Sequence, residues 1–273
     1  MKKWRGFTGF HRTLIITVIL TLAAGYGWPG LVWLPPSTCL VICIAGAFFH
    51  GWGFYLPVIS HGKKKPRAVA LTVDDGPDPA TTPRLLALFN RHGVRATFFV
   101  LGKQVRAYPE LVRAISDAGH TIGNHSFSHR TAIAFRDRRY LYEEIAATQT
   151  ELSRLGIVPR LFRPPVGITY PGMGAVLESL GLVAVTFNRR AFDFGNRSLG
   201  GLAARVLSRI QPGDIIMVHD LPPPHHPVEI WLAEMEALIR GIREKKLDIL
   251  PLTDIIGHPV VQETDKKDTR LQN

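Results

Sequence analysis

The chain has 273 residues, of which 46% are hydrophobic and 20% are charged, which excludes a disordered or fibrous protein. The formal net charge is +11, but residues 1–67 hold eight basic and no acidic residues, and the remainder holds 25 basic and 22 acidic residues. The surplus charge therefore belongs to the N-terminal region, and nucleic acid is not expected as a partner.

The N-terminal region is predicted to form a transmembrane hairpin of two helices. Residues 13–60 contain no Lys, Arg, Asp or Glu, and two apolar runs of 21 residues lie at 14–34 and 39–59. A helix of that length spans about 31 Å, close to the ~30 Å hydrocarbon core of a bilayer. The linker at 35–38 suits a tight turn. A cleaved signal peptide and a second run that only re-enters the membrane are the alternatives.

Beyond Arg67 the sequence alternates between strand-like and helix-like patterns. Short runs rich in Val, Ile, Thr and Phe predict strands, at 67–73, 95–100, 120–125, 182–187 and 214–220. Amphipathic segments predict helices between them, at 82–93, 109–119, 140–156 and 172–181. Three of these helices end at a glycine that can act as a C-cap, namely Gly93, Gly119 and Gly156. The repeated order predicts an α/β fold with a parallel sheet closed as a barrel.

Three regions follow from these patterns. Residues 1–62 form the membrane region, residues 63–256 form the α/β domain, and residues 257–273 form a polar C-terminal tail without periodicity.

Residues with metal-binding chemistry follow two of the predicted strands. In parallel barrels, catalytic groups come from the C-terminal ends of the strands. Asp74 and Asp75 end the first strand, and His125 and His129 follow the third. The four-residue spacing predicts both histidines on one face of a helical turn, within reach of one metal ion. Turn-capping aspartates and a chance histidine pair are the alternatives for each motif alone.

Two further strand ends carry candidate catalytic residues. Arg163 precedes two prolines that hold it rigidly, so it can pair with a carboxylate across the site. His219 ends the last predicted strand and is a candidate acid or base, because its pKa can move across neutrality. A solvated arginine and a core histidine are the ordinary alternatives. The nearby His225 and His226 are expected to be loop residues.

The four motifs together resemble a known family. Residues 74–77, 125–129 and 163–167, with His219, occur in the order of the motifs of the NodB-like polysaccharide deacetylases, carbohydrate esterase family 4. The resemblance covers about residues 67–256. It implies a distorted (β/α) barrel of the NodB-homology type. It also implies a metal-dependent hydrolase that removes an acyl group, above all N-acetyl, from an amino sugar.

The resemblance implies a role for each motif residue. Asp75, His125 and His129 would bind one divalent ion, with Zn²⁺ favoured over Co²⁺, Ni²⁺ or Mn²⁺. Asp74 would be the general base, held ionised by Arg163. His219, polarised by Asp193, would protonate the leaving amine. A backbone N–H of the loop after Arg163 would stabilise the oxyanion, and that loop comprises Pro165, Val166 and Gly167.

Two positions depart from the family pattern. Val166 stands where the third motif often has an aromatic residue. The fourth motif commonly reads DxxDW, whereas residues 190–194 read Arg-Ala-Phe-Asp-Phe. Arg190 thus places a positive charge where the family has a carboxylate, so the substrate is expected to differ more than the chemistry.

Substrate and location are linked through the topology of the hairpin. Basic residues flank it at 1–12 and 63–67, and the positive-inside rule places both ends in the cytoplasm. A two-span membrane protein with its catalytic domain on the cytoplasmic face, in contact with membrane lipid, is therefore predicted. A lipid-linked N-acylated amino sugar is then favoured over a polymer. An extracytoplasmic domain acting on a polymer is the alternative, and an inactive sugar-binding membrane protein with the same fold is the rival function.

Overall fold

The computed structural model describes residues 8–49, 51–130, 137–257 and 263–264. Two helices, α1 (Gly9–Gly27) and α2 (Leu34–Phe48), form the N-terminal region and are joined through a 3₁₀ turn at Pro29–Leu31. The segments Gly9–Gly27 and Pro29–Phe48 are long and apolar enough to cross a membrane, a criterion that a signal sequence also meets. Many of their large hydrophobic side chains are exposed on the protein surface, as expected for helices that contact lipid.

The turn of the hairpin differs from the prediction. Residues 35–38 were expected to form it, but they lie in the first turn and a half of α2, and the chain reverses at 28–33. Proline is tolerated at the start of a helix because its missing N–H would have no acceptor there. The helix also ends at Phe48, well before the end of the predicted span 39–59, because the following aromatic residues pack against the α/β domain instead.

Ten strands follow in the part of the chain that the structure describes. They are β1 (Ala68–Asp74), β2 (Thr97–Val100), β3 (Thr121–Asn124), β4 (Ile157–Val158), β5 (Leu161–Phe162), β6 (Val183–Ala184), β7 (Arg189–Arg190), β8 (Ile215–His219), β9 (Asp248–Ile249) and β10 (Glu263–Thr264). Strands β1, β2, β3, β6 and β8 confirm the predicted ones. Strands β4 and β10 form a separate antiparallel pair, so part of the predicted tail is ordered, and its other residues after Gly257 lie outside the described part of the chain.

The main sheet is parallel and closes into a distorted barrel. Its order is β6-β5-β3-β2-β1-β8-β7, with β9 beside the start of β1. Strands β6 and β7 lie at opposite ends of this order but are separated in the chain only by residues 185–188. The segment 183–190 therefore contacts both ends of the sheet, which curves it into the predicted barrel.

Eight helices accompany the sheet in the described part of the chain. They are α3 (Thr82–Arg91), α4 (Gly102–Ala107), α5 (Pro109–Asp117), α6 (Arg138–Ser153), α7 (Met173–Ser179), α8 (Leu202–Leu207), α9 (Val228–Glu244) and α10 (Leu252–Ile256). Helices α3, α5, α6 and α7 confirm the predicted ones. The glycines after α3, α5 and α6 all have positive φ, as a left-handed C-cap requires.

Helix α9 is long but is missing from the predicted helices. Its buried face consists of apolar residues at helical spacing, and these pack into the core outside the sheet: Trp231, Met235, Leu238, Ile239 and Ile242. This periodicity is the signal that could have found it.

The barrel interior changes character along β1. Ala68 and Ala70 belong to an apolar cluster inside the sheet, with Phe99 and Met217. The next alternate residues of β1, Thr72 and Asp74, are buried and polar. Alternation along a strand places these four residues on one face, so the interior is apolar at the start of β1 and polar at its C-terminal end.

The base of the hairpin packs against the α/β domain. Phe54 and Tyr55 are buried in a cluster with residues of α6 and α7. The Tyr55 hydroxyl donates to the Cys43 carbonyl of α2 at 2.7 Å, and the Thr169 N–H donates to the Ala47 carbonyl at 3.2 Å. Thr169 follows the loop that carries the predicted oxyanion donor, so α2 contacts the segment that leads away from the site.

Candidate active site

The two adjacent carboxylates at the end of β1 reach the same site. Asp74 is the last residue of β1 and points into the barrel, whereas Asp75 has φ +76°. In a regular strand the next side chain would point to the opposite face. The left-handed conformation at Asp75 breaks that alternation, so its carboxylate lies near the same histidines as that of Asp74.

The two histidines lie on a loop and not on a helical turn. Ser126 and His129 have φ of +69° and +57°, which a helix does not allow. The Ser126 N–H donates to the Asn124 Oδ1 at 2.8 Å, and this local bond favours the turn over a helix. The prediction of a helical turn is therefore wrong. The rings nevertheless meet, with centroids of His125 and His129 5.0 Å apart.

Asp75, His125 and His129 form a cluster that fits a metal ion. Their candidate ligand atoms all lie within 4.8 Å of one another, and the Nε2 atoms of His125 and His129 are 3.5 and 3.3 Å from the Asp75 Oδ1. That oxygen is buried and accepts no hydrogen bond in the described part of the chain. A buried carboxylate oxygen without a donor is costly, and a cation between these atoms would remove that cost.

The protonation of the histidines also suits a metal ligand. The His125 Nδ1 lies 2.8 Å from the Arg163 carbonyl, so Nδ1–H donates and the lone pair of Nε2 faces the cluster. Burial lowers the pKa of His129. A neutral imidazole is the form that binds metal.

Arg163 is buried and pairs with Asp74, as the sequence predicts. Its Nη1 donates to the Asp74 Oδ1 at 2.7 Å and to the Thr72 hydroxyl at 2.8 Å. Its Nη2 donates to the Thr186 carbonyl at 3.0 Å, and its guanidinium stacks over the ring of Phe99 at 4.0 Å. These contacts hold both ends of the ion pair and present the other oxygen of Asp74 toward His125.

The loop after Arg163 presents one free amide. Pro165 has no N–H, and the Gly167 N–H donates to the Pro164 carbonyl at 2.9 Å. The Val166 N–H has no acceptor among the described residues. Val166 itself has φ +51° and is 44% exposed. Within the predicted set 165–167, the Val166 amide is therefore the one that is free to donate to a substrate oxygen.

His219 and Asp193 form a second hydrogen-bonded pair. The His219 Nδ1 donates to the Asp193 Oδ2 at 2.8 Å, and Asp193 is almost fully buried. Burial lowers the pKa of His219, but the hydrogen bond and negative charge of Asp193 outweigh it, so the pKa lies above its usual value. A raised pKa favours the protonated imidazole, which is the form that can donate a proton.

Two supporting residues were not identified in the sequence. Asp220 is buried beneath the 74–77 turn, accepts from the Thr82 hydroxyl at 2.5 Å and donates its N–H to the Asp74 carbonyl at 2.8 Å. Burial raises the pKa of Asp220 to about 7. Glu144 of α6 accepts from the Ser128 N–H at 2.9 Å and so fixes the loop before His129. Both residues support the site through contacts with residues distant in the sequence, so motif spacing does not identify them. His225 and His226 are exposed loop residues, as expected.

Residues 61–185 match the polysaccharide deacetylase family. The chain is 35% identical over 159 residues to a chitooligosaccharide deacetylase of Bradyrhizobium, covering 58% of this chain and 73% of that protein. The chain belongs to the polysaccharide deacetylase family. This confirms the resemblance stated from the motifs.

Other members of the polysaccharide deacetylase family are similar in sequence or structure. A peptidoglycan-N-acetylglucosamine deacetylase of Bacillus cereus is 34% identical over 158 residues, which cover 58% of this chain and 57% of that protein. A peptidoglycan-N-acetylglucosamine deacetylase of Listeria monocytogenes is matched over 45% of its length. The chain therefore spans about half the length of these two curated relatives. A family 4 carbohydrate esterase from Streptomyces lividans, solved with acetate, has a TM-score of 0.60 at 32% identity and covers 67% of this chain and 92% of that chain.

The fourth motif, residues 190–194, departs from the deacetylase family pattern and lies at the mouth of the barrel. Phe192 and Phe194 both have φ of +52° and are 53% and 60% exposed. Asn196 holds this turn by donating to the carbonyls of His219 and Leu221 at 3.2 and 2.6 Å. Two aromatic rings therefore project outward beside the His219–Asp193 pair.

Proposed function

We propose that the protein is a metal-dependent hydrolase that removes an acyl group, N-acetyl above all, from an amino sugar. One observation carries the proposal: three candidate ligand atoms within 4.8 Å of one another lie beside an ion-paired carboxylate. The deacetylase activity named for the Bradyrhizobium and Bacillus relatives supports the substrate class. An inactive sugar-binding protein is the rival, and the complete set of acid, base and ligand residues favours the enzyme.

Asp75, His125 and His129 would hold one divalent ion, with Zn²⁺ favoured because two imidazoles and a carboxylate match its preferences. When bound, such an ion polarises the amide carbonyl and makes water more acidic. This set of three protein ligands is the number typical of catalytic zinc sites, which leave a coordination position open.

The remaining roles belong to side chains of this chain. Asp74 accepts a proton from the attacking water, and Arg163 holds it ionised and oriented. The Val166 N–H donates to the oxygen that becomes negative as the carbonyl is attacked. His219, held in one tautomer by Asp193, donates a proton to the leaving nitrogen as the C–N bond breaks. The products are a short carboxylic acid and a free amino sugar.

The test is release of free amine by the purified full chain supplied with Zn²⁺. Three substrate classes should be offered separately: N-acetylglucosamine oligomers, peptidoglycan fragments and lipid-linked N-acylated sugars. We expect amine release from at least one class, and release slowed about 10²–10⁴-fold in the Asp74→Asn variant. Absence of release from all three by protein that contains one metal ion per chain would support the inactive sugar-binding protein instead.

The pH dependence of activity tests the acid. Because the pKa of His219 lies above its usual value, its protonated form is present below that pKa and is lost as the pH rises through it. Asp193→Asn removes the negative charge that raises the pKa and leaves only a weaker, neutral acceptor for Nδ1–H. We expect the alkaline limb of kcat/KM to move to lower pH in this variant and to flatten in His219→Ala. An alkaline limb that both variants leave in place would remove the pair from the mechanism.

We propose that the catalytic domain lies on the cytoplasmic face of a membrane, anchored by α1 and α2. The basic residues at 63–67 that follow the hairpin are exposed and suit contact with anionic headgroups. Basic residues at both ends of two spans favour a cytoplasmic location for both. A lipid-linked amino sugar is then more accessible than an external polymer. A periplasm-active reporter fused after Asn273 should be inactive, whereas strong reporter activity would place the domain outside.

A further inference from the structure

Arg190 lies inside the mouth of the barrel. It ends β7 and is paired in register with Met217 of β8, whose side chain belongs to the apolar cluster inside the sheet. The next residue, Ala191, belongs to the core on the outer side of the sheet. Successive residues of a strand face opposite sides, so Arg190 faces the interior, on the same side as Met217 and His219.

Aromatic rings hold the guanidinium of Arg190 in this position. Its Cζ lies 5.0 Å from the centroid of the Phe192 ring and 6.0 Å from that of Phe187. The Phe187 ring also lies near Arg163, whose Cζ is 5.6 Å from the centroid. Arg190 and the residue that orients Asp74 therefore contact the same aromatic ring. Arg190 itself is half-buried, so its charge lies beside the site.

Arg190 has no anionic partner among the residues that the structure describes. Its Nε is buried and makes no hydrogen bond. The preceding residue provides a direct comparison, because the Nε of Arg189 donates to the Asp214 Oδ2 at 2.6 Å. Arg163 is likewise paired with Asp74. Buried donors without acceptors are costly in free energy. Of these three arginines, Arg190 is the one whose guanidinium retains free donors in the cleft, as far as the described residues show.

We propose that Arg190 binds an anionic group, a phosphate or a carboxylate, carried by the amino sugar that this site deacetylates. The inference rests on the proposed function, because it names the substrate class of the same site. A guanidinium presents paired N–H donors that match the oxygens of either group. The buried Phe187 ring beside it lowers the local dielectric constant, which strengthens such a contact. Neutral amino sugars would leave these donors unused.

The test compares three sugars that differ in their charged group. N-acetylglucosamine is neutral, N-acetylglucosamine 1-phosphate carries a phosphate, and N-acetylmuramic acid carries a carboxylate. Binding to Zn²⁺-loaded Asp74→Asn protein should be measured by calorimetry, so that no turnover occurs. We expect one anionic sugar to bind more tightly than the neutral one, and the preferred sugar identifies phosphate or carboxylate as the source.

Adding Arg190→Gln should weaken binding of the preferred anionic sugar about 10- to 100-fold, the range for a hydrogen bond to a charged group. Binding of the neutral sugar should change less than about twofold. Arg197→Gln is the matched control, because it removes an exposed arginine from the same segment. Equal weakening of all three sugars, or equal affinity of the parent protein for all three, would overturn the proposal.

Turnover distinguishes this proposal from the proposed function. If Arg190-dependent binding of an anionic sugar is observed but the protein with an intact Asp74 releases no amine, the anion site stands and the hydrolase fails. If amine is released equally well from neutral and anionic sugars, with the same KM for wild type and Arg190→Gln, the hydrolase stands and the anion site fails.

Discussion

Replacing Arg163 with methionine is expected to destabilise the α/β domain by about 3–5 kcal/mol, the range for breaking a buried ion pair by removing one partner. Arg163 is fully buried, and its loss leaves the buried Asp74 carboxylate without its guanidinium. The Thr72 hydroxyl and the Thr186 carbonyl lose a partner as well. The midpoint of thermal unfolding, followed by circular dichroism in detergent, should fall by about 6–20 °C for a domain of this size.

Two variants separate the charge from the shape of Arg163. Arg163→Lys keeps a cation but cannot supply the same fork of donors, so we expect an intermediate loss of stability. The double variant Asp74→Asn/Arg163→Met removes both charges and should be more stable than Arg163→Met alone. Activity should be lost in all three. If Arg163→Met unfolds within a degree or two of wild type, the buried pair does not stabilise the domain.

The strand ends that carry the site could be predicted because two simple patterns coincide there. Apolar runs locate β1, β3 and β8, and the geometry of parallel barrels places chemistry at their C-terminal ends. Asp74, His125 and His219 can therefore be identified as candidate site residues from the sequence alone. That Arg163 pairs with a carboxylate follows from its rigid position before two prolines, whereas the family resemblance, and not the strand pattern, implied that this carboxylate is Asp74.

The local conformations that aim these side chains could not be predicted. Asp75 and Ser126 adopt positive φ although neither is glycine. Such conformations are unfavourable for the isolated residue and persist because other bonds compensate. At Ser126 the compensation comes from the Asn124 side chain. At Asp75 it comes from the turn packed on Asp220, whose carboxylate leaves no room for a side chain at Gly76. The Asp220 contact is set by the tertiary structure. The Asn124 contact is local, but the Asn124 side chain is oriented by the distant Ile145 carbonyl, to which it donates.

The limits of the hairpin were also poorly marked in the sequence. The apolar run that ends at residue 59 has the composition of a membrane span throughout, yet Phe54 and Tyr55 are buried in protein. Lipid and a protein core favour the same side chains, so hydropathy alone does not distinguish them. Gly46 is the local clue, since a side chain there would collide with the Phe54 ring. A glycine in an apolar helix can mark such a close approach.

Replacing Asp74 or Asp75 by asparagine, which has nearly the same shape, should have different effects on metal binding and activity. Asp75→Asn removes a proposed ligand, so we expect it to lose both bound metal and activity. Asp74→Asn should retain one metal ion per chain while its activity falls about 10²–10⁴-fold, the usual contribution of a general base. Metal content should be measured by elemental analysis after dialysis, and circular dichroism should show that both variants are folded.

The general base and the metal ligand are hard to distinguish from geometry, because the carboxylates of Asp74 and Asp75 both lie close to His125. The Asp74 Oδ2 is 3.9 Å from the His125 Nε2, against 3.5 Å for the Asp75 Oδ1. What separates them is their other partners, since Asp74 is hydrogen-bonded to Arg163, whereas the Asp75 Oδ1 accepts no hydrogen bond from any residue that the structure describes. His125→Ala serves as the reference for a lost ligand. If Asp74→Asn loses its metal as His125→Ala does, Asp74 is a ligand and the base must lie elsewhere.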